Sequence, residues 1–407
     1  MSDAYAAEQP ARRRDRTAPL GEIPGTPSRS AESARADETN AVPVIVIGAG
    51  AAGLATAACL LRRGIRPIVV DRGESVGQTW AERYDRLHLH TPRIQSHLPG
   101  YRLPARAGRW VARDDMVRYL QAYAAHHHID VRLGVTVRSV RAGAGGYRVS
   151  GDGVELSAQH VVLATGLSSV PVMPSWPGVE SYRGELIHAA DYRTAAGYRG
   201  RDVLVVGVGN SGAEIAADLA ESGARQVWVA VRTPPHIIPR QLGPLPTTLL
   251  GILQSFLPAG WVDPVNKRLA RATVGDLAAF GLPTPQEGLS ARMRRRGNVP
   301  TIDVGLLAQL RLGTVEMVSN LTAFQPGGVQ LADGRVLRPD VIIAATGYRE
   351  SASELVEDDS VGSRLTLDEP WPPGLHQVGL HSSQKGMLLQ INLDARRVAR
   401  AIAHPRT

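Results

Sequence analysis

Two glycine-rich turns have the residue types and spacing to hold nucleotide phosphates. The first is Gly48-Ala-Gly50-Ala-Ala-Gly53 and the second is Gly207-Val-Gly209-Asn-Ser-Gly212. In each turn the first glycine permits a tight bend, the second lets a pyrophosphate approach the backbone, and the third lets helix and strand pack closely. The helix that follows directs its positive dipole end and unpaired N–H groups at the anion. The sequence therefore predicts two dinucleotide sites.

A charged residue after the next strand distinguishes the two sites. Asp71 follows the first motif and Arg232 follows the second. An aspartate accepts hydrogen bonds from an unphosphorylated ribose, whereas an arginine at this place holds a 2′-phosphate. We therefore expect FAD at the first site and NADPH at the second, in an enzyme that takes hydride from NADPH.

The elements that position these residues repeat along the chain in the same order. Apolar, β-branched runs typical of a parallel sheet covered on both faces stand before and after each predicted helix. This order predicts an α/β fold with two Rossmann-like dinucleotide-binding domains. The expected strand, helix and strand are 42–47, 51–63 and 67–71 in the first unit, and 202–206, 211–221 and 226–232 in the second.

A repeated hairpin indicates that the NADPH domain is inserted in a discontinuous FAD domain. Asp-Gly turns at Asp152-Gly153 and Asp333-Gly334 each lead to an apolar strand and then to Ala-Thr-Gly, at Ala164-Thr165-Gly166 and Ala345-Thr346-Gly347. We place the two strands that end in Ala-Thr-Gly where the chain leaves and re-enters the FAD domain. The predicted divisions are a disordered tail at 1–40, the FAD domain at 41–172 and 325–407, and the NADPH domain at 173–324.

Composition fits an enzyme with two moderate cores. The chain has 407 residues, 43% of them hydrophobic, and a net charge of +8. A chain of this length suits two domains. The basic excess suits anionic ligands such as NADPH and keto acids, and it suits solubility equally well. We expect no nucleic-acid partner, because no binding motif accompanies the charge.

Targeting and membrane signals are missing from the sequence. The first 40 residues have no apolar periodicity and cannot bury enough surface to offset the entropy of ordering. They also lack an apolar signal region behind Arg12-Arg13-Arg14, and no run of about 18 apolar residues occurs. We expect a cytoplasmic protein without a transmembrane segment.

The cysteine and histidine residues argue against a disulfide redox site and against a metal site. Cys59 is the only cysteine, so the chain has neither an internal disulfide nor a CxxC pair, and a thioredoxin-reductase-like disulfide reductase is excluded. The run His126-His127-His128 points in three directions on a helix. We therefore predict no metal site.

A motif between the two glycine turns resembles a family signature. Tyr182-Arg-Gly184-Glu-Leu-Ile-His188-Ala-Ala-Asp-Tyr192 resembles the FxGxxxHxxx(F/Y) signature of flavin-containing monooxygenases, with tyrosine in the first position. Four further motifs resemble the YUCCA-like branch of that family, and the resemblance runs from about residue 43 to the C-terminus. They are Tyr84-Asp-Arg-Leu-His-Leu-His-Thr-Pro92, Val231-Arg-Thr through Ile238-Pro-Arg240, Thr301-Ile-Asp-Val-Gly305 and Ala345-Thr-Gly-Tyr348.

The resemblance implies a reaction. NADPH would reduce FAD, O₂ would add to form a C4a-peroxyflavin, and one oxygen atom would pass to a small organic substrate while NADP⁺ stays bound. A YUCCA-like substrate would be indole-3-pyruvate or another 2-oxo acid. The alternatives are an N- or S-oxygenating flavin monooxygenase, a non-oxygenating NADPH-dependent flavin oxidoreductase, and a non-catalytic nucleotide sensor. Oligomeric state is not determined by the sequence.

The resemblance also assigns further site residues. His90 stands where many flavin-containing monooxygenases have an asparagine beside the flavin, and it would either donate a hydrogen bond there or shape the loop. With Asn210, His90 is a predicted catalytic residue. His188 is expected to orient the connection between the domains. The remaining predicted cofactor contacts are Gly77, Thr79 and Trp80 for FAD, Asn210 and Ser211 for NADP, and Thr346, Gly347 and Gln390.

Two segments of the sequence each have more than one interpretation. The stretch 247–261 is rich in leucine and too short to span a bilayer. It predicts a lid over the substrate or an ordinary packing helix, in preference to an edge that contacts a membrane. A final helix from about Asn392 either directs its N-terminus at the flavin or only closes the fold.

Overall fold

The computed structural model describes residues 42–404, except 144, 255–256, 283–284, 297–298, 358–370 and 384. The predicted tail at 1–40 lies outside these residues. Within this part of the chain, no helix is long and apolar enough to cross a bilayer. Location in the cytoplasm remains a prediction.

The first part of the chain begins with the predicted strand, glycine turn and helix. Helix α1 ends at Leu61 and not at residue 63. The elements are β1 (Val42–Ile47), α1 (Ala51–Leu61), β2 (Pro67–Val70), α2 (Gln78–Ala81), β3 (His88–Pro92), α3 (Arg93–Ser96), β4 (Trp110–Ala112), α4 (Arg113–His126), β5 (Asp130–Arg132), β6 (Val137–Gly143), β7 (Gly146–Gly151), β8 (Val154–Leu163) and β9 (Val170–Pro171).

The middle of the chain repeats this order around the second glycine turn. The elements are β10 (Glu185–His188), β11 (Asp202–Val206), α5 (Asn210–Glu221), β12 (Gln226–Val231), β13 (Ile237–Pro239), β14 (Gln241–Leu242), β15 (Leu245–Pro246), α6 (Thr247–Gln254), α7 (Ala259–Thr273), α8 (Leu289–Arg296), β16 (Thr301–Asp303), α9 (Leu306–Leu312), β17 (Val315–Ser319), β18 (Leu321–Gln325), β19 (Gly328–Leu331), β20 (Val336–Leu337) and β21 (Val341–Ala344).

The last part of the chain returns to the first unit. Its elements are β22 (Tyr348–Arg349), α10 (Ala352–Leu355), β23 (Val356–Glu357), β24 (Leu375–Gln377) and α11 (Met387–Ala403). Helix α11 packs along α1, and their apolar side chains share one core with α4. It begins at Met387, one turn before the predicted start at Asn392.

Two separate sheets carry the two glycine turns. The first has the order β23-β6-β7-β8-β1-β2-β5, with β24 paired to β8, and the second has the order β10-β21-β11-β12-β17. In the first, Ile45 pairs in parallel with Ile68 on one side and Val161 on the other. In the second, Val205 pairs with Val229 and Ile343. The predicted α/β fold with two dinucleotide-binding units is confirmed.

Strand pairing bears on one predicted domain boundary. The predicted NADPH domain ends at residue 324, yet Val341–Ala344 forms a central strand of the second sheet. The hairpin before it packs against that sheet through Phe324, Val329 and Leu331. This apolar packing holds 325–344 in the second unit. We propose that the insertion ends after Ala344, where β22 pairs with β9.

Candidate active site

One cavity of about 1560 Å³ joins the two units. The first glycine turn reaches it through Gly48 and Gly50, and the second reaches it through Asn210 and Ser211. Helices α6 and α7 form another part of its wall. The arrangement brings the first glycine turn and the start of the helix after the second turn to one cavity.

The first glycine turn has the shape of a phosphate cradle. Gly48 has a φ of +113°, and a Cβ atom there would lie 2.4 Å from the Ala164 carbonyl oxygen. A Cβ on Gly53 would lie 1.8 Å from the Gly48 carbonyl oxygen. No atom lies within 4 Å of a Cβ on Gly50. The turn is therefore closed toward the protein and open toward the cavity, as a pyrophosphate requires.

The second turn repeats this geometry. Gly207 has a φ of +107°, and a Cβ there would lie 2.5 Å from the Ala345 carbonyl oxygen. A Cβ on Gly212 would lie 2.0 Å from the Gly207 carbonyl oxygen, whereas one on Gly209 meets nothing within 4 Å. Both helices begin with N–H groups that no side chain caps. The described residues thus leave two anion-binding helix ends open.

The two charged residues occupy equivalent places at the ends of strands. The Asp71 carboxylate accepts hydrogen bonds from the backbone N–H groups of Ala49, at 2.5 Å, and Gly73, at 2.7 Å. It lines the cavity and retains acceptor capacity for a ribose. Arg232 is exposed directly after β12, and the described residues give its guanidinium no carboxylate partner. Binding to a 2′-phosphate remains a prediction.

The predicted FAD contacts at Gly77, Thr79 and Trp80 lie together on the cavity wall. Gly77 begins α2 with a φ of +77°. The side-chain amide of Gln78 donates a hydrogen bond to Glu82 and accepts one from the backbone N–H of Glu74. The side chain therefore braces the loop.

Asn210 and Ser211 lie at the start of α5. The Asn210 side-chain oxygen accepts a hydrogen bond of 2.7 Å from the backbone N–H of Ile302. Thr301 donates its hydroxyl to the carbonyl of Val208 at 2.6 Å. The family-like motif at 301–305 thus braces the second glycine turn. A catalytic role of Asn210 remains a prediction.

His90 lies on β3 and contacts the other unit. Its Nε2 atom is 3.0 Å from Oε1 of Glu214 on α5, while its Nδ1 atom is buried without a hydrogen-bond partner among the described residues. Tyr84 also faces Glu214 and Ser211. Burial, and then the Glu214 carboxylate, raise the pKa of Tyr84 well above its usual value. Sequence analysis did not find Glu214.

Eight predicted cofactor contacts lie outside the cavity wall, namely Gly53, Gly207, Gly209, Gly212, Arg232, Thr346, Gly347 and Gln390. The Thr346 hydroxyl donates to the carbonyl of Val172 at 2.5 Å, and the Gly347 carbonyl lies 3.1 Å from Nε2 of His188. Gln390 donates to Asp394 and accepts from Ser383. The start of α11 instead lines the cavity through Gly386, Met387 and Leu388. Direct contact of Thr346, Gly347 and Gln390 with a cofactor remains a prediction.

His188 fixes the connection between the units. Its Nδ1 atom accepts the backbone N–H of Ala190 at 3.0 Å, so Nε2 carries the proton that points at the Gly347 carbonyl. Its ring stands edge-on to Tyr348 with centroids 5.1 Å apart. Burial lowers the pKa of His188 and favours this neutral form. The geometry agrees with the expected orienting role.

The segment predicted as a lid forms α6 and the start of α7. Leu250, Gly251 and Gln254 line the cavity, and the Gln254 amide exchanges hydrogen bonds of 2.9 and 3.2 Å with Asn266. The outer face exposes Leu253 and Trp261, which are 67% and 73% accessible. The segment therefore lines the cavity, and its role as a lid, as a packing helix or as an edge that contacts a membrane stays a prediction.

Comparison with known proteins identifies the family. Residues 45–238 match the Pyridine nucleotide-disulphide oxidoreductase family. The chain is 35% identical over 380 residues to Indole-3-pyruvate monooxygenase YUCCA1 of Oryza sativa subsp. japonica, covering 90% of this chain and 92% of that protein. It is 34% identical over 380 residues to Probable indole-3-pyruvate monooxygenase YUCCA3 of Arabidopsis thaliana, covering 88% and 86%.

A solved structure agrees with this relationship. A mutant flavin monooxygenase from Stenotrophomonas maltophilia superposes with a TM-score of 0.67 at 25% identity, over 90% of this chain and 99% of the other. The residues at the two glycine turns fit FAD and NADPH, because the middle glycine of each turn leaves space for a pyrophosphate beside a helix N-terminus that no side chain caps. The chain belongs to the flavin-containing monooxygenases, in their YUCCA-like branch, and is an FAD- and NADPH-dependent monooxygenase.

Proposed function

We propose that this monooxygenase converts a 2-oxo acid of the indole-3-pyruvate type to the carboxylic acid shortened by one carbon. The reaction consumes one O₂, one NADPH and one proton, and it yields the acid, CO₂, NADP⁺ and water. The observation that carries the proposal is the single cavity that joins both nucleotide turns to an apolar wall. The names of the relatives support this substrate class.

The apolar wall suits an aromatic ring. It is formed by side chains of β13, the following loop and α6 to α8. Burial of an aromatic ring in such a wall contributes favourable free energy in proportion to the apolar area removed from water. The side chains concerned are Ile237, Ile238, Leu242, Leu250, Leu269 and Met293.

Charge on the same wall suits a carboxylate. Lys267 and Arg271 on α7 line the cavity, and both are exposed, so each would contribute weakly to binding. The Gln254–Asn266 amide pair supplies further hydrogen-bonding groups. Three acidic residues line the same wall, Asp263, Asp276 and Glu287. Asp263 accepts the backbone N–H groups of Ser290 and Ala291, and Glu287 pairs with Arg295, so the two basic groups give a weak preference for an anionic head.

The chain's own residues hold the cofactors and exclude water. The N-termini of α1 and α5 stabilise the two pyrophosphates, Asp71 accepts hydrogen bonds from the adenosine ribose of FAD, and Arg232 holds the 2′-phosphate of NADPH. When bound, reduced FAD supplies the electrons that activate O₂. Helices α6 and α7 line the cavity, and by closing over the bound cofactors they would suppress loss of oxidising equivalents to water.

The test measures NADPH-dependent O₂ uptake with indole-3-pyruvate, other 2-oxo acids, amines and thioethers, with mass spectra of the products. We expect coupled uptake with 2-oxo acids and release of CO₂ and the shortened acid. Lys267→Met should raise the KM for a 2-oxo acid about threefold and leave the KM for a neutral thioether unchanged.

Other outcomes would contradict the proposal. Coupled oxygenation of amines or thioethers alone would assign nitrogen or sulfur oxidation. Hydrogen peroxide as the sole product for every compound would overturn a 2-oxo acid substrate. Oxidation of NADPH by dyes without oxygen uptake would indicate a reductase.

A further inference from the structure

Acidic residues recur along the face of α5 that meets the flavin-side unit. Glu214, Asp218 and Glu221 stand at i, i+4 and i+7 and so share one face of the helix. Nη1 of Arg86 lies 2.9 Å from Glu221 and 3.4 Å from Asp218, and Nε2 of His90 lies 3.0 Å from Glu214. Two side chains of the segment 84–90, Arg86 and His90, therefore contact three carboxylates of this helix.

Glu214 differs from its neighbours in burial. Its side chain is 3% exposed, whereas that of Glu221 is 44% exposed. A carboxylate buried to this degree is costly unless it is paired. The titratable and charged groups that face it are His90 and Tyr84 of the flavin-side segment, with Arg86 and Arg240 further away. The Nε2 atom of His90 lies 3.0 Å from Oε1 of Glu214, and this contact is an ion pair when the imidazole is protonated. Oε1 of Glu214 has no hydrogen bond among the described residues.

The position of Glu214 couples two walls of the cavity. Glu214 stands one helical turn after Asn210 and Ser211, on the same face of α5. The Tyr84 hydroxyl is within hydrogen-bonding reach of both Ser211 and Glu214. Tyr84, His90, Asn210 and Ser211 all line the cavity. A shift at Glu214 would therefore move the nucleotide turn relative to β3.

We propose that Glu214 is a positioning residue for nicotinamide nucleotide binding, and that it acts through His90. The carboxylate holds Nε2 of His90 and so fixes β3 against the first turn of α5. Breaking a buried pair leaves the other partner uncompensated, which is more disruptive than losing an exposed pair. The proposal rests on the FAD- and NADPH-dependent activity and is independent of the 2-oxo acid substrate.

The test measures NADP⁺ binding to the FAD-loaded protein by calorimetry, together with thermal stability. The variants are Glu214→Gln, His90→Asn and the double variant. We expect each single variant to weaken NADP⁺ binding about tenfold. The double variant should bind within about twofold of either single variant, because both changes remove the same contact.

The matched control is Glu221→Gln, which removes a carboxylate from the same face of the same helix at an exposed pair. It should bind NADP⁺ within about twofold of the unchanged protein. Flavin reduction by NADPH should show a higher KM in Glu214→Gln. A purely structural role would lower the melting temperature without changing NADP⁺ affinity.

Two results would overturn the proposal. One is NADP⁺ binding in Glu214→Gln within twofold of the unchanged protein. The other is a double variant in which the two losses multiply. If Glu214→Gln does not fold, the affinity of His90→Asn decides alone, since it breaks the same pair from the other side. Each result leaves the substrate assay of the unchanged protein unaffected.

Discussion

Paired alanine substitutions in the first glycine turn should separate folding from flavin binding. Gly53→Ala places a Cβ atom 1.8 Å from the Gly48 carbonyl oxygen, so the backbone must move. Overpacking of this kind costs about 1 to 3 kcal/mol, which corresponds to a melting temperature lower by roughly 2 to 12 °C for a domain of this size. We expect Gly53→Ala to destabilise the protein even without flavin.

Gly50→Ala should leave the melting temperature nearly unchanged and weaken FAD binding. Gly50 has φ −80° and ψ −171°, which alanine adopts freely, and its Cβ would meet no atom within 4 Å. Lower entropy of the unfolded chain contributes about 0.4 to 1 kcal/mol, and the weaker N-cap offsets a similar amount. The new methyl group occupies the space beside the α1 N–H groups. Loss of one hydrogen bond to the pyrophosphate, at about 1.5 to 3 kcal/mol, weakens FAD binding roughly 10- to 150-fold.

The assay is flavin titration of the apoprotein with thermal unfolding of the same preparations. Gly209→Ala and Gly212→Ala repeat the contrast for NADP⁺, because Gly209 is open and a Cβ on Gly212 would lie 2.0 Å from the Gly207 carbonyl oxygen. Normal FAD stoichiometry and affinity in Gly50→Ala would refute the assignment of the first turn. An unchanged melting temperature in Gly53→Ala would refute the packing argument.

Two further predictions concern single side chains. Arg232→Ala should raise the KM for NADPH roughly tenfold and leave the KM for NADH nearly unchanged, because only NADPH carries the 2′-phosphate; an equal loss for both nucleotides in steady-state assays would remove the assignment. Burial lowers the pKa of His376, beside His160, from 6.5 to about 4. The folded state therefore resists protonation of His376. The contribution of this neutral histidine to the free energy of unfolding is fully present above pH 6.5. It should fall by about 3 kcal/mol as the pH drops toward 4, and urea unfolding of His376→Gln should show a smaller decrease.

The fold could be predicted because the strands around both glycine turns are short apolar runs. Val42–Ile47 and Asp202–Val206 are strands in the structure. The predicted start of α11 at Asn392 was wrong for a physical reason, because the helix begins at Met387. Asn392 resembles an N-cap residue, but its amide donates to the carbonyls of Leu388 and His97 from inside the helix. Only the tertiary partner at His97 distinguishes the two uses of an asparagine.

The sequence could place some candidate site residues on the cavity wall. Asp71, from its place after the glycine turn, and Thr79 and Trp80, from the family resemblance, line the cavity, and their contact with FAD stays a prediction. Glu214 was missed because an acid within a helix is usually solvated, and its burial depends on His90, which is distant in the chain. Gln390 was expected at a cofactor, and its partners within the described structure are Ser383 and Asp394.

Hydride transfer between two separately folded sites depends on how the units are joined. The backbone of β9 pairs with that of β22, and His188 packs on Tyr348 beside them, so the connection itself is well held. Elsewhere the units meet through side chains of the segment 84–90 and α5, through Thr248 with Gln95, and through Arg240 with Trp110. Water can replace an exposed contact such as that of Arg86 with Glu221, but it cannot readily replace the contact of His90 with the buried Glu214. Loss of that contact should therefore loosen the second unit beside its nucleotide turn, where alignment with the flavin matters.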